Sequence, residues 1–294
     1  MTILETVGRT PLLPIFEGNN GARIFAKAEF FNPSGSVKDR AVKGMLVEAI
    51  KSGKLTKTKT ILDATSGNTG IAYAMFGAAL GYKVLLCLPA NASKERKRLL
   101  NIYRAEIVAT NPMESSDGAL LKARQLYNDN PGTYYYPDQY SNDENWKAHY
   151  NGTAVEIWEQ TDRKVTHFVA GMGTSGTFTG TARRLKEFNP SIKTVPMQPE
   201  SPLHGLEGMK HMASTILPGF YDPTLFDGRI DVSTEEAKKM TRRLAEELGL
   251  FVGISSGANV LAAVKLAETL SSDAIIVTIL CDSGNRYLSD ELWD

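Results

Sequence analysis

KTILDATSGNTGIAYAMFGAALGYKVLLCL, residues 59–88, is the stretch whose pattern decides the class of fold. Two short runs, at 59–63 and 83–88, are rich in β-branched and aliphatic residues and predict strands. Between them lie a polar turn that contains glycine and a run of small and apolar residues typical of a buried helix. A strand, a helix and a second strand in this order predict a parallel sheet with helices on its faces.

The same alternation extends outward from this stretch in both directions. Further strands are predicted at 23–28, 105–109 and 192–197, in HFVA, and in AIIVTILCD near the C-terminus. An irregular, aromatic and polar stretch, YYYPDQYSNDENW, marks an internal boundary. We therefore predict an α/β protein with two lobes, each a twisted, mostly parallel sheet covered by helices. Residues 36–140 are expected to form a smaller, mobile lobe, and residues 1–35 and 141–294 together a larger one.

Composition argues against several classes of function. The 294 residues include 33 basic and 33 acidic ones, so neither nucleic acid nor an anionic membrane is expected as the main partner. Cys87 and Cys281 lie in apolar runs, as buried thiols of a reducing compartment do. The four histidines lack metal-ligand spacing, and no metal site is predicted. Without a signal-peptide pattern or an apolar run of membrane-spanning length, we expect a soluble, cytoplasmic protein.

The stretch NPSGSVKDR, residues 32–40, places a lysine at an unusual position. A turn precedes a helical pattern here, and Ser34 or Ser36 is the expected N-cap. Lys38 then lies in the first helical turn, where the positive end of the helix dipole disfavours a cation. Two interpretations follow: Lys38 is a solvated surface lysine, or its amine is kept nucleophilic and forms a Schiff base.

The glycine-rich run GMGTSGT, residues 171–177, follows a predicted strand and precedes a predicted helix. Free N–H groups at a helix N-terminus bind anions, and Thr174, Ser175 and Thr177 add hydroxyl donors. The run also fits G-x-G-x-x-G, the fingerprint of a dinucleotide site, with Glu200 at about the right distance for a ribose. The density of hydroxyls favours a compact phosphate monoester.

A second cluster of short polar side chains, ATSGNTG at 64–70, lies between another strand and helix. Four hydrogen-bonding side chains exceed what N-capping needs, so this turn suits a smaller anion such as a carboxylate. A third turn, GISSG at 253–257, repeats the layout with Ser255 and Ser256. Two anion sites and a reactive lysine together predict pyridoxal 5′-phosphate, with Lys38 as its Schiff-base residue and 171–177 as its phosphate loop.

The order of these motifs resembles that of a known family. VGRTPL, NPSGSVKDR, ATSGNTGIA, DQY, GMGTSGT, GISSGA and CDSGNRYLS follow one another as they do in the cysteine synthases (O-acetylserine sulfhydrylases). These are fold-type II pyridoxal phosphate enzymes, similar in fold to the tryptophan synthase β subunit. The C-terminal CDSGNRYLS resembles the B-type branch of the family.

The resemblance implies a role for each matching residue. Lys38 would be the Schiff-base lysine and Asn68 would contact the ring oxygen of the cofactor. Ser255 would face the pyridine nitrogen, with Asp282 as the alternative. The phosphate would be bound by Gly173, Thr174, Ser175, Gly176 and Thr177. The substrate carboxylate would be bound by Thr65, Ser66, Gly67, Thr69 and Gln139.

The resemblance also implies an activity and partners. The expected reaction makes L-cysteine from O-acetyl-L-serine and sulfide, through an aldimine at Lys38 and an aminoacrylate. The alternatives are an O-phosphoserine sulfhydrylase, a cystathionine β-synthase-like enzyme, a serine/threonine dehydratase, a dinucleotide-dependent oxidoreductase or a non-catalytic binding role. Phosphoserine is disfavoured because Glu207 stands near the place of an arginine that phosphoserine-dependent relatives use. The family's habits predict a homodimer and docking of a serine acetyltransferase C-terminal tail.

Overall fold

The alternating pattern of apolar runs becomes ten strands and nine α-helices within residues 2–65 and 67–293, which the computed structural model describes. The strands are β1 (Leu12–Glu17), β2 (Arg23–Ala28), β3 (Thr60–Ala64), β4 (Val84–Pro89), β5 (Glu106–Thr110), β6 (Tyr134–Tyr135), β7 (His167–Gly171), β8 (Lys193–Pro199), β9 (Ile230–Val232) and β10 (Ile275–Leu280). The helices are α1 (Lys38–Lys51), α2 (Asn68–Leu80), α3 (Lys94–Ile102), α4 (Ser115–Asp129), α5 (Asp143–Ala148), α6 (Ala154–Gln160), α7 (Gly176–Phe188), α8 (Thr234–Leu248) and α9 (Ile254–Ala267).

These strands form two sheets. The larger has the order β1-β2-β10-β7-β8-β9, and all of its neighbouring strands are parallel except the antiparallel pair β1 and β2. The smaller has the order β5-β4-β3-β6 and is parallel throughout. The predicted α/β fold with mostly parallel sheets is confirmed. The lobe boundaries at residues 36 and 140 remain a prediction, although every strand of the smaller sheet lies between them.

Both faces of the larger sheet are buried, because consecutive side chains of a strand point to opposite faces. On β7, Val169 belongs to the apolar cluster beneath α8 and α9, and Phe168 to the cluster beneath α6 and α7. Ile276 and Val277 of β10 divide in the same way. Each fully buried aliphatic or aromatic side chain contributes about 1.5–3 kcal/mol. None of the helices within the described residues has the length and apolarity that crossing a membrane requires.

The run HYNGTAVEIWEQT, residues 149–161, has a sequence pattern that predicts a single helix, but the structure differs. Helix α5 begins earlier, where the Asn142 side chain accepts a hydrogen bond from the Glu144 N–H (3.0 Å). A π-helical segment, His149–Thr153, then joins α5 to α6. Helix α7 lies close against this segment, since a Cβ on Gly180 would be 2.0 Å from the Trp146 carbonyl oxygen. The apolar pattern does not show this inserted wide turn, because it changes the backbone without interrupting the helical spacing for long.

Candidate active site

Most of the predicted site residues line either a cleft of about 880 Å³ or a smaller cavity beside it. Lys38, Thr69, Gln139 and Thr174 all line the cleft. The smaller cavity opens deeper in the same region, and Lys38 lines both. The smaller cavity is also lined by Asn68, Gly173, Thr174, Ser175, Gly176, Thr177, Ser255 and Cys281. Residues far apart in sequence therefore converge, because the strands that carry them end at neighbouring positions.

Lys38 is the first residue of α1. The prediction of Ser34 or Ser36 as N-cap is wrong, because Val37 holds that position. Instead, the Asp39 carboxylate accepts from the Ser34 N–H (2.6 Å), and Ser36 Oγ accepts from the Lys38 N–H (3.3 Å). These bonds satisfy N–H groups that a helix start would otherwise leave unpaired.

The Lys38 amine lies in a low-polarity environment. Burial lowers its pKa, and the neighbouring Cys281 and Asp282 oppose this shift. The segment before α1 is anchored to the end of β10, where the Val37 N–H donates to the Cys281 carbonyl oxygen (2.8 Å). A fixed backbone and a lowered pKa favour a neutral amine, the form that acts as a nucleophile and as a base.

The glycine-rich loop after β7 is an anion cradle. Ser175 has a positive φ of 66°, and its Oγ is buried with no hydrogen-bond partner within residues 2–65 and 67–293. A buried polar atom without a partner is rare in folded proteins and points to a ligand that supplies one. The loop packs tightly beneath this position, since a Cβ on Gly176 would lie 2.0 Å from Asn145 Oδ1. The N-terminus of α7 thus presents its free N–H groups with a hydroxyl beside them.

Replacing Gly173 with alanine is expected to weaken cofactor binding about tenfold. The added Cβ would lie 2.2 Å from the Gly208 carbonyl oxygen, so the backbone of the loop must move. Overpacking of this kind costs about 1–3 kcal/mol. Equilibrium dialysis against pyridoxal phosphate measures the effect. Gly132→Ala is the matched control, because a Cβ there meets nothing within 4 Å; equal affinity of the two variants would contradict the prediction.

The polar turn before α2 is stabilised by hydrogen bonds that its own side chains make. Thr65 Oγ1 accepts from the N–H groups of Gly67 (3.0 Å) and Gly70 (2.9 Å). Thr69 Oγ1 donates to Gln139 Oε1 (2.9 Å), and Gln139 Nε2 donates to the Ala64 carbonyl oxygen (2.5 Å). Thr65 therefore caps the turn, while Thr69 and Gln139 meet as predicted for a shared anion site. Ser66 lies outside the described residues.

Asn68 is held by residues of the C-terminal segment. Its Nδ2 donates to Asp282 Oδ2 (2.6 Å), and its Oδ1 accepts from the Arg286 guanidinium. The Tyr287 hydroxyl also donates to Asp282 Oδ2 (2.6 Å). Sequence reasoning missed Arg286 and Tyr287 as supports of the site, although both lie in the motif CDSGNRYLS. Spacing alone did not disclose them, because Arg286 contacts Asn68, more than 200 positions away, and Tyr287 supports Asn68 only through Asp282.

Ser255 and Asp282 differ in their freedom to contact a ring nitrogen. Ser255 lies in the first turn of α9 and lines the same cavity as Lys38. Asp282 is engaged through Oδ2 with Asn68 and Tyr287, and its buried Oδ1 has no partner within the described residues. Burial raises the pKa of the nearby Cys281 thiol to about 12, so that group stays neutral.

Two ion pairs cross the mouth of the cleft. The Arg96 guanidinium of α3 binds both carboxylate oxygens of Glu207, with Nη2 and Oε2 2.5 Å apart. Lys210 Nζ lies 2.7 Å from Asp117 Oδ1 of α4. The loop that carries Glu207 and Lys210 is thereby attached to helices that flank the smaller sheet. The sequence of this loop, residues 199–223, is too irregular to be one element, and a connection of this length in a compact domain usually carries function.

A model of the family described as pyridoxal-phosphate dependent enzymes matches residues 3–282. The chain belongs to this family. It is 47% identical to a cysteine synthase of Aquifex aeolicus, over 99% of this chain and 92% of the relative. It is 39% identical to cysteine synthase B of Escherichia coli, over 98% and 94% of the two chains. The predicted resemblance to the cysteine synthases is confirmed.

Solved structures agree with these relatives. The cysteine synthase of Entamoeba histolytica superposes with a TM-score of 0.93 at 37% identity, covering 99% of this chain and 90% of that one. The O-acetylserine-dependent cystathionine β-synthase of Helicobacter pylori gives 0.94 at 35% identity, covering 100% and 99%. The fold is therefore that of the fold-type II members of the family.

Pyridoxal 5′-phosphate is the cofactor of this family member, and the cleft fits it. The phosphate needs several donors, and the loop 173–177 offers the unpartnered Ser175 hydroxyl and the N-terminus of α7. The aldehyde needs a nucleophilic amine, and Lys38 lines the same cavity as that loop.

Proposed function

We propose that this enzyme makes L-cysteine from O-acetyl-L-serine and sulfide by β-replacement. The observation that carries the proposal is the meeting of Lys38, the loop 173–177 and the Thr69–Gln139 pair in one cleft. An amine, a phosphate cradle and a carboxylate site are the parts that an amino-acid-converting pyridoxal phosphate enzyme needs. Its relatives of known name include cysteine synthases over almost the whole chain.

Lys38 would anchor the cofactor and then move protons. When bound, pyridoxal phosphate supplies an electrophilic carbonyl carbon and an electron sink beside the substrate Cα. Lys38 Nζ would remove the Cα proton of the substrate as acetate leaves, and would return a proton after sulfide has added. The lowered pKa of this amine keeps a larger share of it in the basic form.

The carboxylate of the substrate would bind at the N-terminus of α2. Thr65, Ser66, Gly67, Thr69 and Gln139 would be its ligands, and the Thr69–Gln139 pair that lines the cleft supports this assignment. Binding there orients the Cα–H bond toward Lys38. Ser255 would face the pyridine nitrogen, because it lines the cavity that Lys38 lines, whereas Asp282 is not among the residues of that lining.

The test begins with the purified enzyme, O-acetylserine and sulfide, with cysteine measured directly. Cysteine formation that needs both substrates supports the proposal, and its absence in cofactor-loaded enzyme would reject it. Homocysteine in place of sulfide separates cystathionine synthesis from cysteine synthesis. Borohydride reduction followed by peptide mapping should place the cofactor on Lys38; labelling of Lys27 or Lys43 would overturn that assignment.

Glu207 is expected to set the preference for a substrate whose β-substituent is uncharged, as the acetyl ester is and the phosphate is not. Its carboxylate neutralises Arg96, which is 3% exposed and lies against Gly67 in the carboxylate loop. Glu207→Gln should free the guanidinium to bind an anion. We expect kcat/KM for O-phosphoserine relative to O-acetylserine to rise about tenfold, the effect of one charge-assisted hydrogen bond.

Steady-state kinetics with both donors measure this ratio. Asp290→Asn is the matched control, because it removes one acidic group from the same cleft. An equal rise in both variants would show that net charge alone, and not the Arg96 pair, sets donor choice.

The remaining features of the proposal concern assembly and motion. Residues 36–140 would move as a lobe to close the cleft, since they carry the carboxylate loop and the Arg96 end of the ion pair with Glu207. A homodimer, a docked serine acetyltransferase tail and a cytoplasmic location follow from the family resemblance. Size-exclusion chromatography with light scattering measures the first of these.

A further inference from the structure

His149 lies beneath the phosphate loop and makes two side-chain contacts. Its side chain is buried, with 1% of the residue exposed. Nδ1 is 2.9 Å from Thr153 Oγ1, and Nε2 is 3.3 Å from Thr177 Oγ1. The ring therefore joins the π-helical segment to the start of α7. Its Nε2 contacts Thr177, a residue of the proposed phosphate site.

A second contact in the same place shows what this layer does. Asn145, four residues before His149 on α5, donates from Nδ2 to Thr174 Oγ1 (3.1 Å). A hydroxyl that accepts a hydrogen bond from below keeps its own hydrogen free to donate above. Thr174 is thereby prepared to donate to an anion in the loop. Thr174 and Thr177 are thus supported by neighbouring turns of one helical segment.

The His149 ring is neutral in this setting. Burial lowers its pKa, and the positive charge of Arg40 lowers it further, against the opposing effect of Glu156. A neutral imidazole has one N–H and one lone pair, so two tautomers are open to it. With hydrogen on Nδ1, the ring accepts the Thr177 proton and leaves only oxygen lone pairs facing an anion. With hydrogen on Nε2, the ring donates to Thr177 Oγ1 and leaves the Thr177 proton for the anion.

We propose that His149 is a positioning residue for the phosphate of the cofactor: its Nε2–H holds Thr177 Oγ1 so that the Thr177 hydroxyl donates to the anion. The inference rests on the proposed function, because it takes Thr177 as a phosphate ligand. In this arrangement Nδ1 carries no hydrogen, and the Thr153 hydroxyl donates to it. An anion in the loop then selects the Nε2–H tautomer over the other.

The first test measures cofactor affinity in the full-length protein. Thr177→Val should weaken pyridoxal phosphate binding about 10- to 100-fold, the loss of one charge-assisted hydrogen bond. His149→Ala and His149→Asn should weaken it several-fold to tenfold. His149→Gln should restore most of the affinity, since its amide nitrogen reaches the position of Nε2 whereas that of asparagine reaches only the position of Nδ1.

Two comparisons separate positioning from general damage. The variant that combines His149→Ala with Thr177→Val should bind no more weakly than Thr177→Val alone. Both changes remove the same hydrogen bond, the one from the Thr177 hydroxyl to the phosphate. Pyridoxal, which lacks the phosphate, should bind all variants equally. His167→Gln is the matched control, because His167 stands at the opposite end of β7 from the phosphate loop.

The second test reads the tautomer directly. In apo-protein with 15N-labelled histidine, inorganic phosphate should shift His149 toward the Nε2–H form. Thr177→Val should abolish that response while leaving the fold unchanged by circular dichroism. A His149 signal that shows the Nδ1–H tautomer with phosphate bound would overturn the inference.

Failure of the inference and failure of the proposed function give different results. If the wild type binds pyridoxal phosphate and makes cysteine but His149→Ala and Thr177→Val weaken binding additively, the positioning role is wrong and the function stands. If the wild type makes no cysteine yet the His149 variants lose phosphate-dependent affinity as described, the function is wrong and the positioning role stands. If pyridoxal and pyridoxal phosphate lose affinity equally in the variants, His149 supports only the fold.

Discussion

Replacing Lys38 with alanine is expected to lower cysteine formation by at least about 10³-fold while leaving the protein folded. The change removes both the amine that anchors the cofactor and the base that takes the Cα proton, and a general base alone contributes about 10²–10⁴-fold. Helix α1 should persist, because alanine has the highest helix propensity and Lys38 supports the helix through its backbone. Turnover with O-acetylserine and sulfide, together with the visible absorbance of the bound cofactor, measures the effect.

Lys43→Ala on the same helix is the control for this prediction. Lys43 lies outside the cleft, so its loss should leave turnover within about twofold of the wild type. Retention of more than a few per cent of activity in Lys38→Ala would assign the proton transfer to another group. Phosphate-dependent binding of the cofactor should survive in this variant, because the loop 173–177 is unchanged.

Replacing Arg40 with methionine is expected to destabilise the fold by about 3–5 kcal/mol, the cost of removing one partner of a buried ion pair. The Arg40 guanidinium is buried and contacts two carboxylates, with Nε 2.7 Å from Glu29 Oε2 and Nη1 2.7 Å from Glu156 Oε1. Methionine keeps most of the side-chain volume but leaves Glu29 buried without its guanidinium. Urea denaturation at neutral pH measures the change in the free energy of unfolding.

A surface pair provides the comparison. Arg243 and Glu247 are about half exposed and one helical turn apart on α8, so Arg243→Met should cost at most about 1 kcal/mol. Similar losses in the two variants would show that burial does not distinguish these pairs.

The Arg40 effect should also depend on pH. Burial opposes ionisation of Glu156, but hydrogen bonds and charges from Arg40 and Lys27 outweigh it and lower its pKa from 4.5 to about 2. A lowered folded-state pKa stabilises the fold fully above pH 4.5, and this stabilisation is lost as the pH falls toward 2. The difference between wild type and Arg40→Met should therefore shrink across that range. A difference that is constant from pH 7 to 3 would contradict the role of Glu156.

Local sequence patterns were enough to predict the fold, and they supplied the candidates for the residues that hold the cofactor. Strands of a parallel sheet can be recognised as apolar runs, and anion sites as glycine and hydroxyl side chains at helix starts. Lys38 and the loop 173–177 were therefore predicted from short stretches of sequence. The residues that hold the site residues in place could not be predicted in this way. His149 contacts Thr177 on another helix, Arg286 contacts the distant Asn68, and Tyr287 acts through Asp282. Nothing in the local sequence distinguishes these three from structural residues.

The helix boundaries show the same division in physical terms. Ser34 and Ser36 are good capping residues, yet the hydrogen bonds from Val37 to Cys281 and from Ser283 to Gly35 fix the chain so that α1 starts later. Tertiary contacts outweighed a local preference worth about 1 kcal/mol. The π-helical segment likewise lies where α7 approaches closely, and the sequence around residue 149 does not contain α7.

The position of β10 has a consequence for the order in which the enzyme is completed during synthesis. This strand lies between β2 and β7, so the larger sheet cannot close until residue 280 has left the ribosome. The strands at residues 60–135 can pair much earlier, while β2 waits for roughly 250 residues more, or tens of seconds at about 5–20 residues per second. The segment before Lys38 is anchored just beyond the end of the same strand, where the Val37 N–H donates to the Cys281 carbonyl oxygen. A nascent chain would thus carry a finished smaller sheet for some time before it has an active site, and incomplete chains would hold no competent lysine.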